Sequence, residues 1–327
     1  MLATLADVKK MLVAGKTLIL AGDEELLAAV PAGRWIGGTI PYFMDADGGV
    51  TTRDRLFVQE VPPEAKATTV SVYDLDSIKR LGVESPDRGY TVVIIPAFTP
   101  IHQAYALDAP AYPDLFLKVI GGWIAGIHLD DLGKRRPKVF DGGTGRSYED
   151  RCLALHVELA APFRAQLDIV NIFDRSDSPE LRFPKQGFEV DDCVVNGVSR
   201  NFHDFLVENK IDVRLPLVAE TFGALINVSI QSLDAEKHTV KLYAPVFEGL
   251  SYWPARPLTN YAERFAVAIP KVESEPVFSC NCVLNYLYGQ LEGHHTGRIT
   301  GPMTFGEVAY QLLNQTLVYV TLSRDAA

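Results

Sequence analysis

Cysteine is scarce in this chain: four residues in 327, Cys152, Cys193, Cys280 and Cys282. So few, so widely spread, do not make a disulfide framework, and reduced thiols are expected. Cys280 and Cys282 are separated by one residue. Zinc-binding cysteines are usually spaced by about two to four, so a structural zinc site is not expected. Long apolar runs are also missing, since none approaches the roughly 18 residues of a membrane span. The start, MLATLADVKKMLVAGKTLILAGDEE, turns acidic without a small-residue cleavage site, so it does not read as a signal peptide. These absences lead to the expectation of a cytoplasmic protein with no membrane partner. Basic charge is in deficit, 31 Lys and Arg against 41 Asp and Glu for a formal net charge of -10. That argues against nucleic acid as a partner, because phosphate binding needs a basic face. The local exception, GKRRPK at 133–138, reads as a solvated turn in preference to an anion site. No GxGxxG, HExxH, nucleophile elbow or Ser-His-Asp signature is found. Gly37-Gly38-Thr39 is not a phosphate loop, because the lysine of that motif is absent.

What the chain does have is enough apolar residue, 47% against 22% charged, to build a core or two. ATLADVKKMLVA at 3–14 predicts an amphipathic helix, TLILAG a buried strand, and DEELLAAV a helix with an acidic first turn. RWIGGTIPYF reads as a strand interrupted by Gly37 and Gly38, and YTVVIIPAF at 90–98 as the most deeply buried strand of the first half. LFLKVIGGWIAG at 115–126 repeats the apolar lead into a glycine pair, here Gly121-Gly122. The density of Asp, Ser, Pro and Gly across 162–187 marks a boundary. Beyond it, FEVDDCVVNGV predicts a hairpin turning at Asn196-Gly197, and SRNFHDFLVENK a helix capped by Ser199. FSCNC reads as a strand of small residues, and NQTLVYVTL as a terminal strand rich in β-branched residues. The expected fold class is α/β (α+β), two mixed-sheet lobes with helices packed on the sheets, at 1–175 and 176–327.

The order of these pieces carries a resemblance. CVVNGVSRNFHDFLVEN, LINVSIQSLDAEKHTVKL, FSCNCVLNYLYGQ and GPMTFGEVAYQLLNQT follow one another as in the C-terminal part of FIST-domain proteins, a family of intracellular signal-transduction and sensory proteins. AGDEELLAAVPAGRWIGGTIPYF and KVIGGWIAG are similar to that family's N-terminal glycine-bearing strands. The resemblance implies a small-molecule ligand, with output through a partner protein such as a signalling kinase or cyclase. Some members of the family are described as haem-containing nitric-oxide sensors, which makes haem the cofactor to test.

The expected ligand pocket lies between the lobes, lined by Gly37, Gly38, Thr39, Tyr42, Gly121, Gly122, Cys280, Asn281, Cys282, Glu307 and Asn314. Glycine inside a strand sacrifices stability and often marks close approach of another group. A hydrolase or lyase acting on a small polar substrate is the alternative, using Cys280 or Glu307, with His294 or His295 as a base for the thiol. Against it, a cysteine in a strand is usually a small apolar residue. Glu307 could equally cap a helix around VAYQLL. For haem, an axial histidine in an apolar slot is required, and His102 or His128 is the candidate. His156 alternates with leucine and valine and reads equally as a core histidine.

Overall fold

The computed structural model describes residues 1–221, 224–270 and 274–325. Its architecture is α+β: four six-stranded sheets, one three-stranded sheet and short helices that cover their faces. The central sheet runs in the order Gln311–Leu313, Glu307–Ala309, Ile120–Ala125, Gly89–Pro96, Cys152–Leu159 and Ala65–Tyr73. Gly89–Pro96 and Ile120–Ala125 are parallel, and the other neighbours are antiparallel.

The unbroken apolar run GYTVVIIP follows from burial of both faces of its strand. Val93 and Ile95 point toward Ile101, Tyr105 and Ala106 of the helix Pro100–Asp108. Val92 and Ile94 point the other way, into the main core with Trp123, Ile36, Phe43 and Phe278. That second face supports two further sheets. One holds the N-terminal strands Leu18–Gly22 and Trp35–Thr39, with the helices Leu5–Val13 and Glu24–Ala28 closing its outer side through Val8 and Leu27. Thr4 starts the first of these helices, its Oγ1 accepting from the Asp7 N–H at 3.2 Å.

The other sheet ties the two ends of the chain together. Its order is Phe163–Val170, Leu317–Arg324, Phe278–Cys282, Gly301–Thr304, Tyr42–Asp45 and Gly48–Thr51. Phe43 pairs with Pro302 and Phe163 with Arg324. The expected division at 175 therefore does not separate the sheets: this one and the central one each draw strands from both sides of it. The segment 162–187 also contains a regular eight-residue strand, Phe163–Val170, and is not purely a connection.

Two local expectations are corrected. The helix Phe202–Glu208 is capped by Asn201, not Ser199, because strand pairing runs on to Asn201 opposite Asp192. VAYQLL is not helical: Glu307–Ala309 and Gln311–Leu313 form a tight hairpin through Tyr310, whose φ is 65°. Glu307 consequently has no helix to cap. Among the described residues, no helix is long and apolar enough to cross a membrane.

Candidate functional site

The glycine pairs serve sheet packing. A Cβ built on Gly38 would lie 2.6 Å from Ile94 Cγ2 and 3.1 Å from Trp123 Nε1. One on Gly122 would lie 1.9 Å from the Val93 carbonyl oxygen. Gly37 and Gly121 are hemmed in by Leu27 and Phe278 in the same way. The group that approaches these glycines is another part of the chain, which corrects their expected role as pocket walls. Thr39 and Tyr42 are held by backbone: Thr39 Oγ1 accepts from Lys138 N–H at 2.9 Å, and the Tyr42 hydroxyl accepts from Leu129 N–H at 3.0 Å. The crevice beside Thr39 and His128 holds only about 10 Å³, too little for a ligand. The basic turn next to it is neutralised from within, Arg135 by Asp23 and Glu25 and Lys138 by Glu24 and Glu149.

Cys280, Cys282 and Glu307 come together in the core, Asn281 is linked to them through Asn285 and Thr316, and Asn314 bonds elsewhere. Glu307 is completely buried, and one carboxyl oxygen accepts from Thr316 N–H at 3.1 Å and from Thr316 Oγ1 at 2.7 Å. Its other oxygen, Oε1, is buried without a hydrogen-bond partner. Loss of hydration pushes its pKa up to about 8, so the carboxyl is mostly protonated at neutral pH. The Cys282 thiol interacts with this carboxyl, and Cys280 Sγ donates to the Gly122 carbonyl at 3.2 Å. Burial, then the neighbouring Glu307, pushes both thiols well above their ordinary range. Among the described residues neither thiol is hydrogen-bonded to a histidine, and thiols held protonated in this way are poor nucleophiles. Asn281 accepts from the Asn285 side chain at 2.8 Å, which in turn accepts from the Tyr261 hydroxyl at 2.7 Å. Asn314 is buried beside Asn227 and Ser229, its backbone carbonyl accepting from Asn227 Nδ2 at 3.2 Å.

A cavity of about 510 Å³ opens beside the helix that follows Cys282. The strand Phe278–Cys282 runs straight into the helix Val283–Tyr288, and Val283, Leu284, Leu287 and Tyr288 form one wall. Phe305, two residues before Glu307, Phe98 and His102 form a second, and Phe188, Lys241, Leu242 and Tyr243 a third. The lining is mostly apolar, with a few polar groups. None of the glycine-pair residues, neither cysteine of FSCNC and not Glu307 lines it. Phe98 is held at φ 62°, an uncommon conformation for an aromatic residue, with its ring edge-on to Phe305 at 5.8 Å. Strain of this kind concentrates at functional sites.

Of the histidines, only His102 reaches the cavity. It stands in the first turn of the helix Pro100–Asp108, where its backbone N–H bonds Thr99 Oγ1 at 3.2 Å. Its Nε2 is buried without a partner, and burial holds its pKa down at about 4, so the ring is neutral. His128 is engaged elsewhere: Nδ1 accepts from Asp130 N–H at 3.2 Å and the ring stacks on Tyr42 at 5.5 Å. His156 is a satisfied core residue, bonded to Thr91 at 2.9 Å and Tyr73 at 3.1 Å. Phe188, Lys241, Tyr243, Leu284 and Phe305 were not among the expected site residues; of those expected, His102, the haem candidate, is the one in this wall.

The chain belongs to a family of unknown function (DUF6976), whose profile matches residues 3–323. Comparison with curated proteins and with solved structures returned no match.

Proposed function

We propose that this chain is a small-ligand-binding protein of FIST type, a cytoplasmic sensor that passes its ligand state to a partner such as a signalling kinase or cyclase. The observation that carries the binding reading is the cavity of about 510 Å³, whose wall includes the neutral ring of His102. Its volume lies within the range of roughly 300–1,000 Å³ common to small-molecule sites, and apolar walls with few polar groups are their usual lining. The ligand class that fits is a mostly apolar molecule with one polar group for the neutral imidazole of His102. Leu287 stands at the mouth, 36% exposed, where a larger side chain intrudes without disturbing the core. Anilinonaphthalene sulfonate should bind the purified protein with one-to-one stoichiometry and a fluorescence rise, and Leu287→Trp should abolish the rise while leaving the unfolding midpoint in place. Equal binding by both proteins would remove the cavity as the site.

His102 also supports a second reading, in which the cavity takes haem. A neutral imidazole among Phe98, Phe188 and Phe305 is the form and setting of an axial ligand. Haem titration followed by absorption tests it: a Soret band lost in His102→Ala and kept in His128→Ala supports the reading, and the absence of a band ends it.

A further inference from the structure

Outside the cavity lining, the helix Phe202–Glu208 meets the turn that joins Ile230–Asp234 to Thr239–Val246. Three side chains converge there. Asp204 Oδ1 lies 2.9 Å from His203 Nδ1 and 2.7 Å from His238 Nδ1. The three ligating atoms all fall within 4.8 Å of one another, and the two rings are 5.2 Å apart, steeply inclined. We propose that His203, Asp204 and His238 form a binding site for a divalent first-row transition ion, with zinc as the expected occupant.

The donor set favours that class of metal. Two imidazoles and one carboxylate suit zinc and its neighbours, whereas calcium and magnesium prefer all-oxygen cages. With bonds of about 2.0–2.1 Å, ligand atoms around a tetrahedral ion sit about 3.3 Å apart, so the two Asp204–histidine distances need to lengthen by only about half an ångström, and the two imidazole nitrogens, within 4.8 Å of each other, to settle around the ion. Two imidazole nitrogens already aim at a single carboxylate oxygen, and a cation would take the place of the protons they share with it.

The surroundings hold this arrangement and leave it open. Asn201 bonds both halves: its Oδ1 accepts from Asp204 N–H at 3.0 Å, and its Nδ2 donates to the His238 carbonyl at 2.9 Å. These bonds fix the backbone of the helix start and of the turn that carry the ligands. His203 is nearly buried, at 9% side-chain exposure, whereas Asp204 and His238 are 43% and 55% exposed. Three protein ligands with an exposed side leave a position for water or a substrate atom, as in catalytic zinc sites.

The test uses cobalt as a spectroscopic stand-in for zinc on the full chain. The wild-type protein should take up one equivalent of Co(II) with visible d–d bands, and Zn(II) should displace it. His238 sits in a left-handed turn at φ 51°, a conformation asparagine tolerates, so His238→Asn removes the imidazole and keeps the backbone. That variant and Asp204→Asn should each lose cobalt affinity by more than the roughly 10- to 100-fold that follows loss of a supporting residue. A protein with His294 and His295 both changed to alanine should bind as wild type. Absence of stoichiometric uptake, or unchanged uptake by a folded His238→Asn protein, would overturn the assignment.

Discussion

Gly38 and Ile94 meet across two sheets at a separation that admits no side chain, since a Cβ on Gly38 would stand 2.6 Å from Ile94 Cγ2. The same Cβ would press on Trp123, which is itself fully buried. Gly38→Val should therefore destabilise the protein by about 1–3 kcal/mol, as overpacked cores do. Urea unfolding measures the loss. Dye binding at a temperature where the variant is folded should match wild type, because Gly38 does not line the cavity. A variant of normal stability that no longer bound dye would return the glycine pair to the ligand site.

Glu307 sets the alkaline side of the stability profile. Its pKa is about 8 in the folded chain against an ordinary 4.5, because burial disfavours the charged form. The native protein thus holds a proton that the unfolded chain releases above its own pKa. The stability tied to that proton is full below about pH 4.5 and is lost as pH rises toward 8, at up to about 1.4 kcal/mol per pH unit. Glu307→Gln should flatten this limb and leave the variant more stable than wild type at pH 8, by on the order of 1–3 kcal/mol. Denaturant midpoints from pH 5 to 9 decide it. Parallel curves for the two proteins would mean that Glu307 is charged in the fold.

Much of this architecture is local and can be read from the chain. GYTVVIIP is apolar at every position because cores lie on both faces, and Asn196-Gly197 turns a hairpin because both residues take positive φ, 48° and 84°. The pairing of Phe43 with Pro302 leaves no such trace, since register between distant segments is set by the assembled sheet. The site was hidden for a related reason: its walls come from Phe98, Phe188, Tyr243, Leu284 and Phe305, each unremarked within its own segment. Glycines in the strands did signal close approach, but a sequence does not say whether a ligand or Ile94 fills the space.

Two buried histidines govern the acid side. Burial lowers His102 and His156 to about 4 from an ordinary 6.5. Here the unfolded chain binds the protons, so their contribution is present above about pH 6.5 and is lost as pH falls toward 4. The two limbs overlap between about pH 4.5 and 6.5, where the two histidine protons outweigh the one on Glu307, so the stability maximum falls where the opposing slopes cancel, near pH 6.5. His156→Gln should reduce the slope between pH 6.5 and 4, at some loss in absolute stability from the bonds to Thr91 and Tyr73. A slope identical to wild type would show that His156 does not titrate on unfolding in this range.

His102 separates packing from recognition. Its ring already packs against Phe188 at 6.2 Å, so His102→Phe keeps an aromatic side chain in place and removes the unpartnered nitrogen. A buried polar atom without a partner costs about 1–3 kcal/mol, so the ligand-free variant should be as stable as wild type or about 1 kcal/mol more so. Ligands should divide by their polar group. Phenylnaphthylamine, which offers the cavity only an aromatic body and an amine, should bind both proteins alike. Anilinonaphthalene sulfonate, whose anionic oxygens accept from the imidazole, should bind the variant about 10-fold more weakly, which is one hydrogen bond of about 1.4 kcal/mol. Fluorescence titration of both dyes against both proteins gives the four affinities. If the two dyes fall together, His102 shapes the cavity, and if neither falls, the polar contact of the ligand lies elsewhere on the wall, with Lys241 and Tyr243 next to be changed.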